Sequence, residues 1–310
     1  MKWLTKCLAV CSLVSPILTG LSTVGLLTLA PIAFADDKDK GKGDDGQKSE
    51  SQAKNSGKDL EIQSKARPLG LDIVGNVKER GSDTASADFQ KSVLPKVQNL
   101  INTRLGEQKA LGDLKTISLD KNKLKLKTQS DVRVYFAGEG AGYHNSLGFN
   151  TKGEGVKSGD PKLIFPDASS SVDYLSKNTN PKRTQSEPLL AGDFVNLGRF
   201  GAGTLLDFFL IADGANGGKN VYTANSATNP DRIQHMVAFV VPDSPYLLIS
   251  FEDLYGGGDR DYNDSMFVVN IGAANVKALS GPEPSTFAML GTCAMTLGMY
   301  RRRKALKKSN

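Results

Sequence analysis

The stretch Val132-Arg133-Val134-Tyr135-Phe136 decides the fold, because the hydrophobic period of the chain has changed there from helical to extended. Apolar and polar residues alternate through its first half, and residues 124–127 alternate in the same way. Such alternation is typical of β-strands. Later apolar runs are short and bounded by Gly, Pro, Asn or Asp, which favours antiparallel strands. These runs are residues 162–165, 204–211, 233–241, 246–251 and 266–271.

The predicted fold is therefore all-β, an antiparallel β-sandwich over residues 119–273. About 155 residues are enough to bury one hydrophobic core of this kind. No helical pattern of useful length lies between the apolar runs, so parallel βαβ units are not expected. Among sandwich topologies, the pattern favours a jelly roll.

The region before this domain, residues 68–118, is mixed and contains one predicted amphipathic helix that ends near Leu105. Apolar residues recur there three or four positions apart. They are Phe89, Val93, Val97, Leu100, Ile101 and Leu105. Ser92 is the expected N-cap, Pro95 then fits in the first turn, and Gly106 is a natural stop. We expect this helix to pack against the β-domain, and binding of a partner is the alternative.

Residues 36–67 form a predicted disordered linker. They are rich in Lys, Asp, Gly, Gln and Ser and contain hardly any large apolar side chain. Such a segment cannot bury enough surface to offset the loss of chain entropy on folding. The alternative is an interaction tail of mixed charge.

The chemically richest segment follows Phe251 and reads Glu-Asp-Leu-Tyr-Gly-Gly-Gly-Asp-Arg-Asp-Tyr-Asn-Asp, ending at Asp264. Three glycines allow a sharp turn that directs several carboxylates to one point. Asp259, Asp261 and Asn263 alternate, so they project to one side in an extended chain. Crowded oxygen atoms suit Ca²⁺, which takes roughly 6–8 oxygen ligands in irregular geometry.

The spacing is not that of an EF-hand, because Asp264 and Asn270 stand where that loop needs its Gly and its bidentate Glu. A calcium site must therefore use a distant ligand, and Asp213 is the best candidate. The residues predicted to bind calcium are Asp213, Glu252, Asp253, Asp259, Asp261, Asn263 and Asp264. The alternative is a solvated acidic turn whose carboxylates are satisfied by Arg260 and by backbone amides.

A second polar cluster, residues 138–148, is rich in glycine but does not match a dinucleotide-binding fingerprint. Tyr143 occupies the position of the third Gly, and no helix is predicted to follow. His144 and His235 are the only histidines in the chain. Two imidazoles cannot alone form a structural zinc site, and neither lies in a zinc-binding motif, so we expect them in core or loop hydrogen bonds.

The first 35 residues have the features of a signal peptide. Two lysines precede an uncharged apolar stretch, residues 7–34, and Ala33-Phe34-Ala35 forms an A-x-A cleavage site. The apolar stretch is longer than a usual signal core, so an uncleaved anchor is the alternative. Basic residues at both ends of the chain predict that the part between them is exported.

Composition excludes several functions for the body of the chain, residues 36–281. The whole chain carries a net charge of +6, but the two end segments hold most of that excess and leave 31 basic and 32 acidic residues in the body. Nucleic-acid binding therefore has no electrostatic support. Cys7, Cys11 and Cys293 all lie in the end segments, which excludes disulfides, thiolate metal sites and a cysteine nucleophile from the body.

The tail, residues 282–310, combines the motif Pro282-Glu283-Pro284, an uncharged span over residues 287–300 and the basic cluster Arg301-Arg302-Arg303. The span is shorter than the about 20 residues that a straight membrane helix needs, so a thin or temporary anchor is expected. This tail resembles the PEP-CTERM sorting signal of Gram-negative bacteria. The resemblance implies processing by an exosortase and a link to exopolysaccharide and biofilm matrix. A plain tail anchor is the alternative.

Several blocks between residues 132 and 270 resemble a family named only as a domain of unknown function, number 4114. The blocks are residues 139–148, 208–214, 234–235 and 251–264. The resemblance implies an exported bacterial β-rich module, often found in adhesion-like proteins. It implies no catalytic residues.

Three functions compete, and the sequence favours the first, a non-catalytic surface or matrix protein. Its β-domain would bind polysaccharide, an envelope protein or Ca²⁺, and Ca²⁺ is the one cofactor predicted. Its other predicted partners are the secretion machinery, the exosortase and the membrane. The second is a glycan-active hydrolase that uses two carboxylates. Its candidates are Glu139, Glu252, Asp253 and Asp261, but the only tryptophan, Trp3, lies in the signal peptide, which weakens sugar stacking. The third is a purely structural spacer. Other enzyme classes lack a motif.

Overall fold

The computed structural model describes residues 57–105, 124–174 and 181–280, all within one compact unit. Strands in these ranges form a five-stranded and a four-stranded sheet. The strands are β1 (Ser130–Gly138), β2 (Ser146–Asn150), β3 (Lys162–Phe165), β4 (Phe194–Phe200), β5 (Asp207–Ile211), β6 (Val221–Thr223), β7 (Met236–Val240), β8 (Tyr246–Phe251) and β9 (Ser265–Asn270). The prediction of a mainly β fold is confirmed.

Every strand pairing is antiparallel, as predicted. The five-stranded sheet has the order β4-β1-β9-β8-β7, and the four-stranded sheet has the order β3-β2-β5-β6. Strands β7, β8 and β9 therefore follow one another as a meander within one sheet. The jelly-roll topology was wrong, because a jelly roll is built from two Greek keys rather than from such a run of sequential neighbours.

Aromatic and aliphatic side chains from the inner faces of both sheets form one hydrophobic core. Phe267 of β9 stacks on Phe165 of β3 with ring centroids 5.8 Å apart, and Phe136 of β1 packs edge-on against Phe165 at 6.4 Å. These contacts join the two sheets face to face. The arrangement is an antiparallel β-sandwich, as the alternating pattern predicted.

A helical segment covers the outer face of the five-stranded sheet. It consists of α1 (Thr84–Asp88), a π-helical turn (Phe89–Val93) and α2 (Leu94–Arg104). Phe89 stacks on Tyr135 of β1 at 3.8 Å, and Val97 and Ile101 are fully buried. The predicted helix face, its end near Leu105 and its packing on the β-domain are confirmed.

The start of this helical segment differs from the prediction. Asp83, not Ser92, is the N-cap, and it accepts a hydrogen bond from the Ser86 N–H at 2.7 Å. The Asp83 carboxylate also accepts two hydrogen bonds from the Arg133 guanidinium of β1, at 3.0 and 2.8 Å. The sequence pattern did not indicate this N-cap, because the helical spacing of apolar residues begins only at Phe89.

The last part of the predicted linker packs against the sandwich. Leu60 is buried in the core, and its N–H donates to the Val77 carbonyl at 2.9 Å. Residues 57–67 therefore belong to the folded unit, because this single leucine finds a hydrophobic site that composition alone does not indicate. The predicted signal peptide, residues 36–56 of the predicted linker and the tail that resembles a PEP-CTERM signal lie outside the described residues.

A third helix, α3 (Ala273–Ser280), follows β9 and places Val276 in the core. Asn275 accepts hydrogen bonds from the N–H groups of Lys127 and Thr128, at 2.8 and 2.9 Å. Helix α3 thereby holds the strand-like segment around Leu126. Within the described ranges, no helix is long and apolar enough to cross a membrane.

Candidate functional site

The acidic loop between β8 and β9, residues 252–264, brings three carboxylates together. Glu252, Asp259 and Asp261 each present an oxygen atom, and these atoms lie within 4.8 Å of one another. Two oxygen ligands of one Ca²⁺ ion lie at most about 5 Å apart, because each Ca–O distance is about 2.3–2.6 Å. The three side chains are therefore close enough to share one ion.

Glu252 is the buried member of this group. Its side chain follows directly after β8, the residue is only 1% exposed, and its Oε2 atom has no hydrogen-bond partner. Gly258 passes over the carboxylate with a φ of +38°, and a Cβ atom there would collide with Oε1. The positive φ therefore favours glycine here, and any side chain would displace the Glu252 carboxylate. A buried carboxylate oxygen without a donor is costly unless a cation or a proton compensates it.

The electrostatics of the loop disfavour its ionised state. Burial, followed by the nearby Asp264 carboxylate, raises the pKa of Glu252 to about 8. Burial, followed by Asp253, raises the pKa of Asp264 to about 6. Burial also raises the pKa values of Asp253 and Asp261. A bound divalent cation reverses such shifts, because it is the largest local charge in a site.

Asn263 holds the Asp261 carboxylate in place, and Asp259 contacts the Asp261 backbone. The Asn263 N–H donates to Asp261 Oδ1 at 3.0 Å, and its side-chain amide donates to Asp261 Oδ2 and to the Tyr174 hydroxyl. The Asp261 N–H in turn donates to Asp259 Oδ1 at 3.4 Å. The predicted alternating residues are therefore neighbours, with Asn263 orienting Asp261.

The other predicted ligands are held by different contacts. Asp264 Oδ2 accepts a hydrogen bond from the Asp253 N–H at 2.8 Å, which closes the base of the loop. The fully buried Asn145 donates from Nδ2 to Asp253 Oδ2 at 2.7 Å and accepts from the Asp213 N–H at 3.0 Å. Asp213 and Asp253 thus lie on either side of Asn145, and neither is among the three clustered carboxylates.

Sequence reasoning did not assign a site role to Asn145 or Asp231. Asp231 Oδ2 accepts from the Gly256 N–H at 2.8 Å and pairs with His235 Nε2 at 2.7 Å. His235 Nδ1 donates to the Glu252 carbonyl at 2.8 Å. The start of the acidic loop and its glycine turn are therefore both anchored on the Asp231–His235 pair. The only available signal was the short spacing of Asp231 and His235.

The histidines take part in hydrogen bonds, as expected. His235 is fully buried and stacks on Tyr222 at 3.7 Å, while His144 Nδ1 lies 3.3 Å from Asp167 Oδ2. The alternative for the acidic turn named Arg260 and backbone amides as partners of its carboxylates. Backbone amides do donate to Asp259, Asp261 and Asp264. Among the salt bridges within the described ranges, however, none joins Arg260 to a carboxylate.

Glu139, a carboxylate of the second polar cluster, is also buried. Its backbone carbonyl accepts from the Tyr174 N–H, its Oε1 accepts from the Ser170 N–H, and its Oε2 has no partner. Burial, with the carboxylates of Asp167, Glu187 and Asp253 adding to it, raises the pKa of Glu139 to about 8. Burial therefore favours the protonated form of this side chain.

The fold and the loop define this part of the chain as an antiparallel β-sandwich with a carboxylate cluster on one inter-strand loop. Residues 200–272 match the family model described as "Domain of unknown function (DUF4114)". The matched segment runs from the end of β4 through β9 and contains the whole acidic loop. No curated protein and no solved structure matches the chain. The resemblance to this family is confirmed for these residues.

Proposed function

We propose that the chain is an exported, non-catalytic binding module whose acidic loop is held in its binding conformation by one Ca²⁺ ion. Glu252, Asp259 and Asp261 are the direct protein ligands, and Asn263 positions Asp261. The observation that carries the proposal is the buried, unpartnered Oε2 atom of Glu252 beside two further carboxylates.

Calcium suits this cluster better than other common protein metals. The candidate ligands are all carboxylate oxygens, whereas zinc favours His and Cys. Magnesium demands near-ideal octahedral geometry and keeps several waters, which a buried Glu252 does not favour. Backbone carbonyls and water would complete the coordination shell of Ca²⁺.

A binding role is preferred over glycan hydrolysis because three carboxylates, rather than two, converge on one point. A glycosidase uses two carboxyl groups about 5–9.5 Å apart on either side of the scissile bond. Oxygen atoms of Glu252, Asp259 and Asp261 that all lie within 4.8 Å of one another favour one shared cation.

Export is supported by the two ends of the chain. Ala33 and Ala35 would mark removal of the signal peptide. The Pro282-Glu283-Pro284 motif and the arginines at 301–303 would direct the chain to an exosortase and a transient membrane anchor. The folded part would then act at the cell surface or in the extracellular matrix, on an exopolysaccharide or an envelope protein.

The test is the melting temperature of the full-length chain with EDTA and with Ca²⁺. At a calcium concentration about 100-fold above Kd, binding adds about 2.7 kcal/mol to the free energy of unfolding. For a domain of about 200 residues this raises Tm by about 5–10 °C. The double variant Asp259→Asn, Asp261→Asn should lose the shift, and the exposed Asp160→Asn should keep it. Equal melting curves in EDTA and in calcium would refute the calcium site.

A further inference from the structure

A small pocket lies beside the acidic loop, at the turn between β5 and β6. Its volume is about 240 Å³. Ligand pockets for drug-sized molecules measure about 300–1,000 Å³, so this one suits a single small ring. Its side-chain lining is Tyr143, Tyr255, Asp213, Asp253, Lys219 and Asn220.

Two exposed tyrosines line this pocket. Tyr255 is 66% exposed and Tyr143 is 41% exposed, and they belong to the few large hydrophobic side chains that are exposed within the described ranges. Tyrosine combines a flat apolar face with a polar tip and loses little conformational entropy when it is immobilised. Aromatic side chains exposed around one concave site are typical of a binding site rather than of ordinary surface.

The polar lining offers both donors and acceptors. Asp213 and Asp253 carry acceptor oxygens, Lys219 carries donors, and the Asn220 amide offers both. Two carboxylates disfavour an anionic ligand, and the lysine disfavours a cationic one. Sugar hydroxyl groups both donate and accept, so a neutral polyol fits this mixed lining.

The pocket is preformed by buried contacts. Asn145 bonds to the Asp253 carboxylate and to the Asp213 backbone, which fixes the two acids relative to each other. The Asp213 Oδ1 atom also accepts from the His144 N–H at 3.1 Å and from Asn216 Nδ2 at 2.9 Å. At Gly218 a Cβ atom would collide with the Ala212 carbonyl, so the β5–β6 turn can close only with glycine. A ligand therefore need not order these groups on binding.

We propose that this pocket binds one sugar ring of a glycan, with Tyr143 and Tyr255 packing against the ring. The hydroxyl groups hydrogen-bond to Asp213, Asp253 and Asn220. This assignment rests on the proposed function as a binding module and names its ligand class. Tyr255 lies on the acidic loop, so calcium bound by Glu252, Asp259 and Asp261 stiffens one wall of the pocket and tightens sugar binding.

The experiment titrates the full-length chain with methyl glycosides of glucose, galactose, mannose and N-acetylglucosamine, and with their hexasaccharides. Any detergent used to keep the full-length chain in solution must have no sugar headgroup, since maltosides would compete for the pocket. Calorimetry gives the affinity. At least one sugar should bind in calcium. Tyr255→Ala and Tyr143→Ala should each weaken it about tenfold, while Leu254→Ala should not. Leu254 is the matched control, because it is an exposed neighbour outside the pocket lining.

The outcomes separate this inference from the calcium proposal. No binding by any sugar of the panel, or binding that both alanine variants leave unchanged, overturns the sugar pocket even where calcium still raises Tm. Binding of a random peptide library in place of sugars overturns it as well. Tyrosine-dependent sugar binding with no effect of calcium on Tm supports the pocket and refutes the metal site.

Discussion

Replacing Glu139 by Gln should remove a pH-dependent loss of stability. The folded-state pKa of Glu139 is about 8, against an ordinary value of 4.5, because the side chain is buried beside other carboxylates. Between these two pH values the folded protein binds one more proton than the unfolded chain. The contribution of Glu139 to the free energy of unfolding is therefore highest below pH 4.5 and falls as the pH rises towards 8.

The magnitude follows from the size of this shift. Each pKa unit corresponds to about 1.36 kcal/mol, so the loss across the interval is at most ~5 kcal/mol. Glutamine keeps the shape of the side chain and the acceptor for the Ser170 N–H, but it carries no proton to lose. As the pH rises from 4.5 to 8, the free energy of unfolding of the variant should increase relative to that of the native chain. Below pH 4.5, the two free energies should change with pH in the same way.

The assay is urea unfolding of the full-length chain in EDTA at a series of pH values, followed by circular dichroism of the tyrosines. EDTA keeps calcium from masking the effect. Glu61→Gln is the matched control, because that side chain is 87% exposed and forms only a surface pair with Lys58. Parallel pH profiles for the native chain and Glu139→Gln would refute the reasoning from burial.

Two further variants test the loop and the helix. Gly258→Ala should abolish the calcium-induced rise in Tm, because the added Cβ atom displaces the Glu252 carboxylate. Gly256→Ala is the control: its φ is also positive, but its added Cβ atom meets no other atom, so this variant should keep the rise in Tm. Loss of the rise in both variants would show that backbone strain alone is responsible. Phe89→Ala should lower the free energy of urea unfolding by about 3–5 kcal/mol, because it empties the contact with Tyr135, whereas the exposed Lys91→Ala should change it by less than about 0.5 kcal/mol. Equal effects of Phe89→Ala and Lys91→Ala would contradict the packing of the helical segment.

The strands that could be predicted are those with a continuous apolar run. Residues 162–165 and 246–251 coincide with β3 and β8, because each run is flanked by turn-forming residues. Strand β2 was missed. Its sequence, Ser146-Leu147-Gly148-Phe149-Asn150, has polar ends and a central glycine, yet every residue is buried. Its burial comes from pairing with β5, a tertiary effect that local pattern does not encode.

The residues of the candidate site also fall into those that the sequence could identify and those that it could not. Glu252, Asp259 and Asp261 could be named from the sequence, because they share one short loop with three glycines. The role of Asn145 could not, since it contacts Asp253 across 108 positions of the chain. The tyrosine pair was equally hidden, because Tyr143 and Tyr255 meet only after β2, β5 and the acidic loop are assembled. Alternation predicts which side chains share a face, but not which loops meet.

The most direct measurement is a crystal structure of the chain grown with calcium, with the ion identified by its anomalous scattering. We predict one ion about 2.3–2.6 Å from carboxylate oxygens of Glu252, Asp259 and Asp261. An acidic loop of the same conformation without an ion there, or an ion held by other residues, would contradict the account.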